Sequence, residues 1–258
     1  EENVRLQYEN IVQNLHSGKY SFEIIFVDDG STDNSVPTLK EIARKDRRVK
    51  VVQFRRNFGQ TAAMAAGIDH SKGKILVFMD SDLQNDARDI PLLVEKINEG
   101  YDVVSGWRKE RKDKLLSRKL PSRIANRIIA RVSGVKLHDL GCSLKAYRGE
   151  VLREVKLYGE MHRFIPVHAS WVGARITEVP VTHHARQFGK SKYGIKRTFK
   201  VLLDLITVKF MGSYSTKPIY VFGGTGFVLL IFSLISFGAT VYMKFANNLS
   251  MNRNPLLF

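Results

Sequence analysis

Two aspartates separated by one residue lie where a strongly apolar stretch ends. In "ILVFMDSDLQND" (residues 75–86), five apolar residues run directly into Asp80 and Asp82. Residues i and i+2 of an extended strand face the same side, so the two carboxylates can point together. They then repel each other unless a cation lies between them, and Mg²⁺ or Mn²⁺ prefers such oxygen ligands. The pattern predicts a divalent metal site at Asp80 and Asp82.

A lone D-x-D pattern is a weak signal, because it occurs by chance in many proteins. A second acidic turn, "VDDGSTD" (residues 27–33), strengthens it by placing Asp28 and Asp29 after another apolar stretch. The carboxyl ends of parallel strands meet at one edge of a sheet, where such sheets bind ligands. Two strands are therefore predicted to deliver acidic side chains to the same edge.

The elements that must position these acids alternate between short apolar strands and helices. This alternation predicts βαβ units and an α/β fold, with a mostly parallel sheet flanked by helices. The chain opens with the helical stretch "EENVRLQYENIVQNL", although such folds normally open with a strand, so we expect that a first strand is missing from this sequence. The predicted strands lie in 22–33 (strand and turn), 49–54, 74–80, 101–107 and 175–185, and the predicted helices are 36–46, 59–73, 88–100 and 117–133.

Residues 218–243 carry no charge, and Lys217 and Lys244 bracket them. This stretch of 26 residues is long enough to cross a hydrocarbon core of about 30 Å. Tyr220 and Tyr242 lie near its two ends, as interfacial aromatic residues do. A transmembrane helix is therefore predicted; the alternative is a buried core helix, although such helices are rarely so long.

The 258-residue chain has 41 Lys and Arg against 25 Asp and Glu, a net charge of +16, which indicates a polyanionic partner: nucleic acid or an anionic membrane surface. The basic residues concentrate before the apolar stretch, which favours the membrane and places that side in the cytoplasm. Residues 195–213 mix apolar and basic positions, as an interfacial amphipathic helix does; an ordinary surface helix is the alternative. The single cysteine, Cys142, excludes an internal disulfide and fits a reducing compartment.

These features predict four regions. Residues 1–194 form a cytoplasmic α/β domain that carries the acidic turns, 195–217 an interfacial segment, 218–243 a transmembrane helix, and 244–258 a loop that leads toward a second transmembrane helix, expected to be absent from this sequence.

Five motifs occur in this order along the chain: "FVDDGSTDNS", "RRNFGQTAAMAAGID", "GKILVFMDSDLQND", "GCSLKAYR" and "RQFGKSKYG". Together and in this order they resemble the motifs of family-two glycosyltransferases with the A-type fold, and specifically the membrane-bound, dolichol-phosphate mannose synthase-like group. The resemblance covers nearly the whole region before the apolar stretch. It implies inverting transfer of a hexose-type sugar from a nucleotide diphosphate to a polyprenyl phosphate, with Mg²⁺ or Mn²⁺ as the cofactor.

The resemblance also implies roles for individual residues. Asp80 and Asp82 hold the metal on the donor diphosphate with Gln84 beside them, and Asp28 and Asp29 contact the nucleoside. Some relatives have Asp where this chain has Cys142, so the nearby Asp139 is a further catalytic candidate, although an anionic acceptor phosphate needs no strong base. The residues expected to bind the acceptor phosphate are Arg108, Arg118, Ser122, Arg186, Ser191 and Lys192.

Other functions remain open at this point. A processive polysaccharide synthase would use the same acidic edge, but the sequence has no Q-x-x-R-W run. A non-catalytic membrane protein and a nucleic-acid binder are further alternatives, and no recognised nucleic-acid motif appears. UDP-glucose, UDP-linked amino sugars and GDP-mannose are all compatible donors, undecaprenyl and dolichyl phosphate are compatible acceptors, and self-association is compatible with the membrane helix.

Overall fold

The structure, a computed structural model, describes residues 1–15, 18–109, 134–155, 157, 161–185, 196–214 and 216–246. The chain divides into two compact units, Glu1–Val208 and Lys209–Phe258. The predicted helix over 117–133 lies outside the described residues.

The first unit alternates helices and strands, as the sequence predicts. The strands are β1 (Ile24–Asp28), β2 (Val49–Gln53), β3 (Ile75–Phe78), β4 (Val103–Trp107), β5 (Lys145–Arg148) and β6 (Ile176–Pro180). The α-helices within the described residues are α1 (Glu2–Leu15), α2 (Ser35–Lys45), α3 (Gln60–His70), α4 (Ile90–Asn98), α5 (Gly149–Glu154), α6 (Ile165–Trp171), α7 (Lys196–Tyr214) and α8 (Ile219–Ala246).

The strands pair in two groups. β1 and β2 form a parallel pair, and the other four strands form a sheet in the order β3-β5-β4-β6. β4 and β6 are parallel, but β5 runs antiparallel to both of its neighbours. The expected parallel arrangement therefore holds for two strand pairs, and β5, which the sequence analysis did not predict, reverses the direction inside the larger sheet.

Helices cover both faces of the larger sheet, which explains why β3 and β4 are largely apolar. On one face Val104, Leu144 and Ala146 pack with Leu93 and Ile97 of α4. Full burial of each such leucine or isoleucine contributes roughly 1.5–3 kcal/mol, so this layer holds α4 firmly against the sheet. A second cluster covers the other face with residues of α3, α5 and α6: Ile68, Leu76, Val103, Tyr147, Leu152, Ile165 and Ala169.

Helix α7 matches the predicted amphipathic segment over 195–213 closely. Val208 is buried with Val135, Leu137 and Phe164, whereas Ile206 is 61% exposed. The helix therefore buries one apolar residue in the first unit and presents another to its surroundings.

In the second unit, residues 219–245 of α8 are long and apolar enough to cross a membrane, and none of their most apolar window is buried. At 1.5 Å per residue the 28 residues of α8 extend about 42 Å, which exceeds a hydrocarbon core of about 30 Å. A buried core helix, the alternative considered above, would be covered by protein, so the structure favours a candidate membrane span.

Gly30, in the turn after β1, is required by its backbone and by its neighbours. Its φ is +76°, and a Cβ atom there would lie 2.5 Å from the carbonyl carbon of Arg56. Gly173 has a similar φ of +84° but open space around it. The two glycines therefore separate the cost of the backbone conformation from the cost of the clash.

We predict that Gly173→Ala lowers the free energy of unfolding by about 1 kcal/mol, because only the left-handed conformation opposes it. Gly30→Ala should cost at least about 2 kcal/mol, since the methyl group also forces the 29–31 and 55–57 loops apart. Chemical unfolding of the full chain in detergent measures both values. Equal losses for the two variants would contradict the close approach of these loops.

Candidate active site

The turn after β3 carries the predicted metal ligands. Asp80 and Asp82 are both partly buried, and Nε2 of Gln60 donates a hydrogen bond of 2.9 Å to Oδ1 of Asp80. Asp82 Oδ1 accepts the backbone N–H of Gln84 at 3.1 Å, and the intervening Leu83 has a φ of +60°, which is rare for a residue with a side chain. The chain thus turns sharply so that both aspartates stay in one short loop.

Burial raises the pKa of Asp80, and the negative charge of Asp82 raises it further. A hydrogen bond from Ser143 and the positive charges of Arg108 and Lys145 act in the opposite direction. The net effect is a raised pKa, as expected when two carboxylates lie close together in a partly desolvated site.

The donor set fits a hard divalent cation. Asp80 and Asp82 supply carboxylate oxygens, and Gln84 offers an amide within the same turn. Within the described residues no group of three or more His, Cys, Asp or Glu side chains gathers into a metal site, so water and donor phosphates would complete the coordination. This shell is typical of Mg²⁺ or Mn²⁺ and unlike a closed zinc site.

Asp28 and Asp29, predicted to contact the nucleoside, hold backbone groups in this structure. Oδ2 of the buried Asp28 accepts the N–H of Ser31 at 3.0 Å. The carboxylate of Asp29 accepts the N–H groups of Phe58 at 2.7 Å and Gly59 at 3.0 Å. Both aspartates therefore shape the loops at this edge, and their contact with a nucleoside stays a prediction.

A second hydrogen bond near the start of α3 joins this helix to residue His162. Thr61 Oγ1 and His162 Nδ1, both from buried side chains, are joined by a hydrogen bond of 2.8 Å. Burial lowers the pKa of His162 from 6.5 to about 3, and the charges of Arg163 and Lys145 add to that effect. His162 is thus a neutral imidazole at neutral pH that fixes the beginning of α3.

Arg108 follows β4 and forms a bidentate ion pair with Asp139. Its Nε lies 2.6 Å from Oδ2 of Asp139, and its second nitrogen lies 2.9 Å from Oδ1. The side chains are 14% and 5% exposed, so water screens the pair weakly. Arg108, predicted to bind the acceptor phosphate, and Asp139, a catalytic candidate, are therefore brought together, and neither role is tested by this contact.

Lys145 was not predicted as a site residue. It is 4% exposed, and its Nζ donates a hydrogen bond of 2.8 Å to the carbonyl of Leu140, which anchors the turn that carries Asp139. Burial lowers its pKa to about 8. Burial also raises the pKa of the neighbouring Cys142 to about 11, so this buried thiol is protonated at neutral pH.

The segment that leads to the predicted acceptor residues is joined to the turn after β3. The N–H of His184 donates to the carbonyl of Gln84 at 2.9 Å, and Asn85 and His183 form an antiparallel bridge. Nε2 of His184 lies 2.9 Å from Oδ2 of Asp86. Residues 183 and 184 therefore contact the turn after β3, and Ala185 is the last described residue of this segment.

The remaining predicted acceptor residues lie outside the described residues: Arg118, Ser122, Arg186, Ser191 and Lys192.

Comparison with known proteins identifies the family of this chain. The family model described as "Glycosyl transferase family 2" matches residues 4–156, which include β1 to β5 and the acidic turns. The chain belongs to glycosyl transferase family 2. The expected family and the α/β fold are thus confirmed.

Two bacterial relatives are similar over much of the chain. A dodecaprenyl-phosphate galacturonate synthase from Rhizobium johnstonii is 45% identical over 261 residues, covering 100% of this chain and 77% of that protein. An undecaprenyl-phosphate 4-deoxy-4-formamido-L-arabinose transferase from Edwardsiella ictaluri is 42% identical over 187 residues, covering 72% of this chain and 57% of that protein.

Two solved structures share the fold at low sequence identity. Glucosyl-3-phosphoglycerate synthase from Mycobacterium tuberculosis, with Mn²⁺, uridine diphosphate and phosphoglyceric acid, has a TM-score of 0.62 at 17% identity and covers 82% of this chain and 74% of its own. A mannosyltransferase from Pyrobaculum calidifontis, with GDP-Man and Mn²⁺, has a TM-score of 0.52 at 16% identity, covering 89% and 77%.

We predict that acid destabilises the protein partly through His162. The unfolded chain binds a proton there below about pH 6.5, but the folded chain does so only near pH 3, so this contribution is present above pH 6.5 and is lost as the pH falls. The loss should reach about 2 kcal/mol at pH 5. Unfolding at pH 7 and pH 5 should show a smaller decrease for His162→Gln than for the unaltered chain.

The matched control is His70→Gln, at an exposed histidine near the other end of α3. It should keep the full decrease between pH 7 and pH 5. If His162→Gln also keeps it, the neutral buried state of His162 is wrong.

Proposed function

We propose that this protein is an inverting glycosyltransferase that moves a sugar from a nucleotide diphosphate to a polyprenyl phosphate. The acidic turn after β3, with Asp80 and Asp82 in one partly buried loop of a family-two glycosyltransferase domain, carries the proposal. The names of the two relatives, both polyprenyl-phosphate enzymes, support the acceptor class.

On the donor side, Asp80 and Asp82 would hold Mg²⁺ or Mn²⁺, with Gln84 beside them. When bound there, such an ion would supply positive charge to neutralise the departing diphosphate. Asp28 and Asp29 keep the β1 turn in place for the nucleoside. The Mn²⁺ in the two structures of similar fold supports a divalent metal.

On the acceptor side, the lipid phosphate is already anionic, so its oxygen attacks the anomeric carbon without a strong general base. A bond forms between that oxygen and the anomeric carbon, and the bond from the carbon to the diphosphate breaks with its electron pair leaving on the nucleotide. Asp139 then serves chiefly to hold Arg108, whose guanidinium is paired with it at the end of β4. A guanidinium suits phosphate because it donates two parallel hydrogen bonds and keeps its charge.

The basic segment that begins at Arg186 completes the acceptor site in this proposal. Two contacts support it: the bridge between Asn85 and His183, and the hydrogen bond from His184 to Gln84. Arg186 is the next residue in the sequence after Ala185, which ends the described segment that is hydrogen-bonded to the turn after β3. Arg118, Ser122, Ser191 and Lys192 are assigned to the same phosphate through their motifs.

The membrane arrangement follows from charge and hydropathy. We place α8 across the bilayer, α7 at the interface and the catalytic unit on the cytoplasmic face, because Lys and Arg precede the apolar helix densely. The exposed Ile206 on α7 supports an interfacial position. Self-association within the membrane is compatible with this arrangement.

The test uses membranes that bear the full-length protein and a panel of labelled UDP- and GDP-linked sugars, which includes galacturonate and formamido-arabinose donors. We predict that label from one of these nucleotide sugars is transferred to polyprenyl phosphate. The product should be a lipid labile to mild acid, and its formation should require Mg²⁺ or Mn²⁺. Asp82→Ala should reduce the rate by at least about a hundredfold, because half of the carboxylate pair is lost.

Asp102→Asn is the matched control. Asp102 is an aspartate that pairs with Arg148 at the opposite end of β4, so its variant should keep the transfer activity. Formation of a polymeric product without labelled lipid would contradict the proposal and favour a processive polysaccharide synthase.

A further inference from the structure

The side chain of Gln60 contacts a predicted metal ligand from a different part of the chain. Its amide nitrogen donates a hydrogen bond of 2.9 Å to Oδ1 of Asp80, 20 residues further on. Gln60 is the first residue of α3 and is partly buried. Because an amide donor carries no charge, it orients a carboxylate and leaves the negative charge that a cation needs.

The position of Gln60 is fixed by Asp29. Both oxygens of the Asp29 carboxylate accept backbone N–H groups, from Phe58 and Gly59, immediately before the helix begins. Gly59 has a φ of +93°, a conformation that strongly favours glycine, so the chain enters α3 in one defined direction. The Asp29 carboxylate therefore sets where the Gln60 side chain starts.

We propose that Gln60 is a positioning residue for Asp80, and that Asp29 acts on the metal site through residues 58–60. This inference rests on the proposed function and deepens it. It connects the acidic turn after β1 to the acidic turn after β3 through the start of α3, and it gives Asp29 a role besides the nucleoside contact that the family resemblance implies.

The physical basis is the outer shell of a metal site. A metal-ligating side chain that can rotate loses affinity, and its hydrogen-bond partners hold it in the binding orientation. Asp80 is repelled by Asp82, and its hydrogen-bond donors Gln60 and Ser143 keep its carboxylate from turning away from the position in which both aspartates could share one ion. Gln60 opposes that rotation, and its own freedom is restricted by the hydrogen bonds between Asp29 and residues 58 and 59.

The test is a titration of the full chain in detergent with Mn²⁺ alone, followed by electron paramagnetic resonance of the free ion. Gln60→Leu should weaken Mn²⁺ binding about tenfold, because the hydrogen bond is lost without a change of charge. Gln60→Asn should weaken Mn²⁺ binding to a similar degree, because its side chain is one methylene shorter while the amide group is kept. Thermal unfolding of both variants verifies that each is folded.

The role of Asp29 is tested by a double-mutant cycle. Asp29→Asn should also weaken Mn²⁺ binding, since an amide accepts only one of the two N–H groups well. The double variant Asp29→Asn with Gln60→Leu should bind Mn²⁺ with about the affinity of whichever single variant binds it less tightly, because both substitutions remove the same constraint. If the fold-losses in Mn²⁺ affinity of the two single variants multiply in the double variant, the part of the inference that concerns Asp29 is wrong.

Ser71→Ala is the matched control. It removes a side-chain hydrogen bond at the opposite end of the same helix, where Ser71 Oγ donates to the carbonyl of Ile68 at 2.7 Å. It should lower the unfolding temperature slightly and leave Mn²⁺ affinity unchanged.

The outcomes separate the inference from the proposed function. Unchanged Mn²⁺ affinity in Gln60→Leu, with normal binding by the unaltered chain, overturns the inference alone. If the unaltered chain binds no Mn²⁺, the metal-dependent function fails and the inference fails with it.

Discussion

The repulsion between Asp80 and Asp82 is the interaction on which the rest of the site depends. Two carboxylates in one partly buried turn raise the free energy of the folded chain, because each loses hydration and each opposes the other. The surrounding side chains offset that cost with an amide from Gln60, a hydroxyl from Ser143 and the nearby cations Arg108 and Lys145. A divalent cation bound by both aspartates, as we propose, would offset that cost further.

The fold supplies these partners by bringing the ends of several strands together. β1 delivers Asp29 to the start of α3, β3 delivers the aspartate pair, and β4 delivers Arg108 to Asp139. β5 places Lys145 in register with Phe78 of β3, beneath the turn that carries Asp139. Each partner thus reaches the site from a rigid element, so the side chains can be held within the narrow geometry that glycosyl transfer requires.

Much of this arrangement was predictable from local sequence patterns. The strand of "ILVFM" ending in Asp80, the turn of "VDDGSTD" and the helix predicted over 36–46, observed as Ser35–Lys45, all depend on short-range periodicity and turn chemistry. The apolar stretch predicted over 218–243 lies within α8 for the same reason, because length and absence of charge define a candidate span.

The features that were missed depend on contacts distant in sequence. β5 consists of "KAYR", with a charged residue at each end, so it lacks the pattern of a buried strand; its pairing with β3 and β4 determines it. Gln60 has no local signal either, because its partner Asp80 lies beyond a helix and a strand. Lys145 reads as an ordinary surface charge until the fold buries it against the Leu140 carbonyl.

The most direct test of the central claim is a crystal structure of the full-length protein with UDP or GDP and Mn²⁺, in which anomalous scattering locates the metal. The account predicts one strong peak bound by carboxylate oxygens of both Asp80 and Asp82 and by the diphosphate. A metal peak bound elsewhere, with the diphosphate away from the turn after β3, would contradict it.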